Sequence, residues 1–233
     1  CADSEDRAAI VREGGIPGFV TLLSSGEQEA RRHAVVALEQ LSVATNAREM
    51  IEQAGAIAPL VSIVATLRIE EAQEAAAVIL SELARSTEGA KQAIVAAGGV
   101  RVLVDALDED VSDGLQRHAA AVFWALTDGS SNSTTIPILL REGVAPLLLA
   151  LLSSDSRASL DAQGYACATL KALATTEMGC TVILQVDGAI ELLDQYYVGS
   201  SDGASDRHQS SSWLKEQCGE IVRLLRPTPL ADE

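Results

Sequence analysis

The sequence predicts an all-α fold, a solenoid of three-helix repeats, and three observations carry that prediction. The first is a recurrence. The stretch Gly55-Ala56-Ile57-Ala58-Pro59-Leu60-Val61 returns upstream as Gly14-Gly15-Ile16-Pro17-Gly18-Phe19-Val20. It returns downstream as Gly98-Gly99-Val100-Arg101-Val102-Leu103-Val104, as Glu142-Gly143-Val144-Ala145-Pro146-Leu147-Leu148 and as Gly188-Ala189-Ile190-Glu191-Leu192-Leu193. Anchored at positions 14, 55, 98, 142 and 188, the copies lie 41, 43, 44 and 46 residues apart, which is the period of stacked helical repeats. The second observation is composition. Hydrophobic residues make up 48% of the chain and aromatics only 3%, a mix that suits closely packed helices and excludes a disordered chain. The third is that apolar residues recur at helical spacing after the anchors.

Each repeat reads in the same order. A short first helix ends just before the anchor, with Ile10, Ile51, Ile94 and Ile138 four residues ahead of it and Leu184 in that place in the fifth repeat. The glycine breaks this helix, because only a residue without Cβ enters the left-handed region at no steric cost. A second helix then carries Ile57, Leu60, Val61 and Val64, or Val100, Leu103, Val104 and Leu107, or Val144, Leu147, Leu148 and Leu151. Pro59 and Pro146 fall in its first turn, where a missing N–H leaves no bond unmade. A longer third helix follows, expected over Glu27–Ser42, Glu70–Arg85, Gly114–Thr127, Leu160–Thr175 and Ser211–Leu225. Two connections stand out: an acidic loop from Asp108 to Gly114, and a long polar stretch over 198–212 expected to be mobile. The whole of 1–233 reads as one array of about five repeats, the last degenerate.

The net charge of −16 argues against nucleic acid and anionic lipid as partners, since both need clustered Lys and Arg. It serves solubility, and it favours basic partners. Cys1, Cys167, Cys180 and Cys218 form no C-x-x-C pair and read as reduced thiols. No metal ligation is expected from them or from the scattered His33, His118 and His208, and no cofactor motif or catalytic signature is present. The segment Ser200 to His208 holds Ser, Asp and His together, but a mobile loop cannot hold a triad. It reads instead as a flexible insertion, with phosphorylation as the sharper alternative. With no apolar run of about 18 residues there is no membrane span. Beginning at Cys1 rather than Met, the chain reads as a fragment whose targeting or lipid signals would lie outside it.

Three helices per repeat with a glycine hinge resemble the armadillo repeat, whose consensus runs roughly G-A-I-P-x-L-V-x-L-L and then A-x-W-A-L-x-N-L-A. Segments 14–23 and 54–64 are similar to the middle of that pattern, and 76–84 and 122–128 to its end. The resemblance implies a right-handed superhelix whose third helices line a concave, peptide-binding groove. In the import-receptor branch of the family, third-helix Trp and Asn residues form ladders along this groove. The Trp position here holds Val36, Val78, Trp124 and Ala168, and the Asn position Gln40, Glu82, Asp128 and Ala172. One Trp and no Asn set the chain apart from that branch.

The candidate groove residues are therefore His33, Val36, Gln40, Val78, Glu82, Trp124, Asp128, Tyr165 and Ala168. Trp124 and Asp128 share a helix face, an arrangement that suits a Lys or Arg side chain. The competing reading makes Trp124 a core residue, and Glu82 and Asp128 solvated helix ends. The expected function is a non-catalytic protein-interaction scaffold or adaptor, without cofactor, binding an extended or helical segment that is basic or amphipathic. The alternatives are a divergent nuclear-import adaptor and a regulatory module of a larger enzyme such as a ubiquitin ligase. The expected location is cytoplasmic, nuclear, or peripheral at an organelle through sequence outside the fragment. The uncapped Ile10-Val11 helix suggests flanking repeats or end-to-end self-association.

Overall fold

Alanine-rich periodic stretches punctuated by glycine fold into five helix triplets among the described residues of a computed structural model, which are 4–108, 110–128, 132–153, 156–198 and 212–226. The expected polar segment between 199 and 211, with its Ser, Asp and His, and the tail over 227–233 lie outside them. The triplets divide between two compact units, Cys1–Leu126 and Thr127–Glu233. Unit 1 holds α1 (Ser4–Arg12), α2 (Gly15–Leu23) and α3 (Gln28–Ser42), then α4 (Thr45–Gln53), α5 (Ile57–Thr66) and α6 (Glu70–Ser86). Its third triplet is α7 (Glu88–Ala96), α8 (Gly99–Asp105) and α9 (Asp113–Thr127). Unit 2 holds α10 (Asn132–Arg141), α11 (Val144–Leu151) and α12 (Leu160–Ala174), then α13 (Glu177–Leu184), α14 (Ala189–Val198) and α15 (Ser212–Leu225). No strand occurs among the described residues.

The hinge behaves as expected, with one shift of register. Gly14, Gly55, Gly98, Gly143 and Gly188 take left-handed φ between 74° and 77°, so the hinges lie 41, 43, 45 and 45 residues apart. In the fourth repeat the hinge is Gly143, not the anchor at Glu142, because a Cβ is strained at positive φ. The first helix shifts with it: Leu139 is the fully buried residue four positions ahead, and Ile138 is only half-buried. In the fifth repeat α13 turns in Ile183 and leaves Leu184 46% exposed, correcting the expectation for Leu184.

A bond not read from the sequence ties the start of the third helix back to the chain ahead of it in the first four triplets. The fourth residue of every third helix in the first four triplets is a long donor. Arg31 Nε donates to Leu23 O at 3.0 Å, Gln73 Nε2 to Val64 O at 2.9 Å, Gln116 Nε2 to Leu107 O at 3.1 Å and Gln163 Nε2 to Ala158 O at 3.4 Å. Three of these satisfy a carbonyl at or just past the end of a second helix, where no intrahelical partner exists. Side-chain caps start other helices: Thr87 Oγ1 accepts from Ala90 N at 3.0 Å and Thr176 Oγ1 from Gly179 N at 3.0 Å, each worth about 1 kcal/mol.

Within each unit the third helices pack on one another. In unit 1, α3 lies along α6, and Ala72, Ala75, Ala76 and Ala77 are buried on α6. Small side chains let the two backbones approach closely, at the cost of less apolar area per residue. In unit 2, α12 packs on α15, burying Ala166, Cys167, Leu170, Cys218 and Ile221.

Candidate functional site

The candidate residues fall on the outer faces of third helices, except Asp128, which follows one. On α3, His33 and Gln40 are exposed and Val36 is half-buried, while Ala34, Val35 and Leu38 between them are core. On α6, Val78 and Glu82 are half-buried beside the buried Ile79, Leu80 and Leu83. Trp124 is half-buried on α9, next to the fully buried Phe123, and Asp128 is exposed just past that helix. On α12, Tyr165 and Ala168 are half-buried while Ala166 and Cys167 are core. A helix that buries one stripe leaves the opposite stripe facing outward, and the ladder register falls on that stripe in both units.

The unit 1 face is charged. Arg32 on α3 bridges helices: its Nη1 donates to Glu71 Oε2 at 2.9 Å and its Nη2 lies 3.0 Å from Glu29 Oε2. Both carboxylates hold the guanidinium above its ordinary range, Glu29 most. Arg48 on α4 donates to the Glu82 carboxylate, and Arg85 Nη2 reaches the same oxygen at 3.4 Å. Glu82 is thus engaged within its own repeat. Glu74 accepts from the Ser112 hydroxyl ahead of α9. Glu39, also on α3, is pushed above the usual carboxylate range by burial and by the nearby Glu71 and Glu74. The two Arg-His neighbours on third helices fold onto each other. Arg32 Nη2 lies 3.1 Å from His33 Nε2, and Arg117 Nη2 lies 3.3 Å from His118 Nε2. Burial and then Arg117 lower the His118 pKa, against the opposing pull of Glu74 and Glu82. Gln40 lines a mostly apolar cleft of about 200 Å³ with Arg7, Ala8, Val11, Leu41, Val43, Ala44 and Asn46, and Val43 there is 73% exposed.

Unit 2 presents a different face. Trp213, at the start of α15, is 47% exposed, and a Cβ placed on Gly164 would stand 3.6 Å from its ring. The indole therefore rests against the α12 backbone, one residue from Tyr165. Further along, Lys171 Nζ donates to Gln217 Oε1 at 3.0 Å and pairs with Glu220. Trp213 went unread in the sequence because the last repeat departs from the pattern, although a large aromatic early in a third helix was the available signal. Arg48 also went unread. Its signal was a cation seven residues ahead of the hinge in three successive repeats, as Arg7, Arg48 and Lys91.

Comparison with known proteins fits this geometry. The Armadillo/beta-catenin-like repeat model matches residues 3–43, which is the first triplet. A set of computationally designed armadillo repeat proteins for modular peptide recognition superposes with a TM-score of 0.79 at 20% identity, covering 94% of this chain and 86% of theirs. The chain has the armadillo-repeat solenoid fold. A second designed armadillo repeat protein, solved in complex with the peptide (KR)4, superposes with a TM-score of 0.75 at 19% identity, over 95% of this chain and 86% of that one. Vacuolar protein 8 of Candida albicans is 35% identical over 99 residues, which is 42% of this chain but 17% of that protein. Among the described residues no single helix is long and apolar enough to cross a membrane.

Proposed function

We propose that this chain is a protein-binding scaffold that seats an extended or helical partner segment along the outer faces of its third helices. The observation that carries the reading is the one just described: every ladder-register residue lies on an outward stripe, flanked by core. In unit 1, Val36, Val78 and Trp124 supply apolar contact, with His33 and Gln40 at the edges. Glu82, held by Arg48, keeps the walls of that face together and is not a hook for partner backbone. In unit 2, Tyr165 and Ala168 are joined by Trp213.

A basic or amphipathic segment suits the unit 1 face. Glu39, Glu71 and Glu74 crowd one another, and a Lys or Arg from a partner relieves that repulsion. The (KR)4 ligand of the designed neighbour has this character. The test is a fluorescence titration of the full chain with labelled (KR)4. Binding is expected, weakening about tenfold between low and physiological salt, and weakening further in Glu39→Lys and Val78→Lys variants of unchanged helicity. Equal affinity for all three proteins sinks the groove reading.

A second reading concerns location and rests on the likeness to Vacuolar protein 8. A fluorescent fusion concentrated at a vacuole supports it, and diffuse signal throughout the cell opposes it.

A further inference from the structure

Cys167 on α12 and Cys218 on α15 are both fully buried, and their sulfurs lie 3.4 Å apart. They come from third helices of successive repeats, separated by the whole of α13 and α14 in sequence. Tyr196 on α14 lies near both thiols. Burial first, and then the two thiols, push its phenol up to about 12. Buried cysteines most often serve as small apolar side chains, but that role does not require two sulfurs to meet across a repeat boundary. Cys180, the other described cysteine, instead donates to Ala174 O at 3.1 Å on α13's side of the unit.

We propose that Cys167 and Cys218 form a redox site, closing to a disulfide under a peroxide and reopening under a small thiol. The inference is independent of the peptide-binding reading. One sulfur, as thiolate, attacks a peroxide oxygen; the O–O bond breaks, hydroxide leaves, and a sulfenic acid forms. The second sulfur attacks the first, the S–O bond breaks, and its own proton leaves with the hydroxyl as water. Both sulfurs are oxidised by one electron each and the peroxide is reduced to two waters. Two equivalents of small thiol reverse the step by exchange and end as their own disulfide. The hydrogen bond to Cys218 and burial both hold Cys167 in its protonated form, so the pair reacts when α15 opens transiently from α12. The product fastens the helices that carry Tyr165 and Trp213.

The experiment treats the full chain, freed of reductant, with hydrogen peroxide, then denatures and alkylates it and maps the peptides. The expected product has lost two hydrogens, links the Cys167 and Cys218 peptides, and returns to the free thiols with dithiothreitol. Amide exchange in α12 and α15 is expected to slow about tenfold in the linked form. Cys218→Ser shows neither link nor slowing, and the map of the unmutated chain stands if that variant does not fold. The proposal is overturned if both cysteines still alkylate while Cys180 is oxidised, or if the pair gains oxygen atoms instead of losing hydrogens.

Discussion

Arg48 sits seven residues ahead of its hinge and reaches Glu82 on the third helix of its own repeat. The equivalent positions in unit 2 are filled without charge. Seven residues ahead of the hinge the fourth repeat has Ile136, with Ala172 at the place of Glu82, and the fifth has Thr181, next to Cys180, whose sulfur lies 3.9 Å from Leu224 O. The same backbone junction between first and third helix is thus made by an ion pair in one unit and by apolar or thiol groups in the other. The repeat geometry tolerates either, because backbone hinges and small buried residues set the spacing, and the junction residues only need to fill it. What changes is the response to surroundings: unit 1 carries its sensitivity in carboxylates and guanidinium groups, unit 2 in sulfur and close packing.

The packing side of that contrast gives the largest effect. Gly179 stands three residues past the N-cap of its helix, as Ala47 and Ala90 do in unit 1, but a Cβ there would lie 1.9 Å from Leu173 O. Gly179→Ala is expected to destabilise the protein by about 3 kcal/mol in urea unfolding. Ala47→Gly, at the matching place in unit 1, should cost only about 1 kcal/mol. Equal costs would erase the distinction between the units. Next comes the ion pair itself. A double-mutant cycle on Arg48→Ala and Glu82→Ala should give a coupling of about 1.5 kcal/mol. That coupling should survive added salt, because the side chains are only 17% and 26% exposed. A coupling that disappears in salt would make the pair a surface decoration.

The smallest effect has a pH signature. The folded Glu39 pKa is raised, so this group favours the folded state fully only below its unfolded pKa, and that contribution is lost as pH rises through the folded value. At neutral pH the carboxylate therefore opposes folding, and Glu39→Gln should stabilise by about 0.5 kcal/mol. The gain should fade as pH falls toward about 4. His118 runs the other way: its folded pKa is lowered, so its contribution is present above the unfolded pKa near about 6.5 and is lost as pH falls through the folded value. Thermal melts of Glu39→Gln and His118→Gln across this range separate the two.

Much of the fold was legible before the structure. The long third helices came out within one residue of their expected bounds, because an Ala-rich stretch of four turns leaves its ends well marked. The hinge of the fourth repeat was misread by one residue because aligning Pro146 with Pro59 places the anchor at Glu142. Backbone handedness needs the glycine, and the proline only tolerates its place. The ladder register pointed to the outward stripe, since helical periodicity is local. The Arg48–Glu82 pair, the Arg32–Glu71 bridge, the Trp213–Gly164 contact and the Cys167–Cys218 pair were not legible. Each joins residues more than thirty positions apart, whose meeting depends on how separate helices pack, within one repeat for Arg48–Glu82 and between repeats for the others.

The five hinge glycines have one further consequence. Nothing lies within 4 Å of where a Cβ would stand at Gly14, Gly55, Gly98, Gly143 or Gly188. The demand at these positions is therefore one of chirality and not of room. An L-residue meets its own backbone there, whereas a mirror-image alanine is at ease with positive φ and leaves the unfolded chain fewer states to explore. At these five points a chain made of L-residues folds in spite of its handedness, and chemical synthesis with D-alanine would fit the residue to the bend.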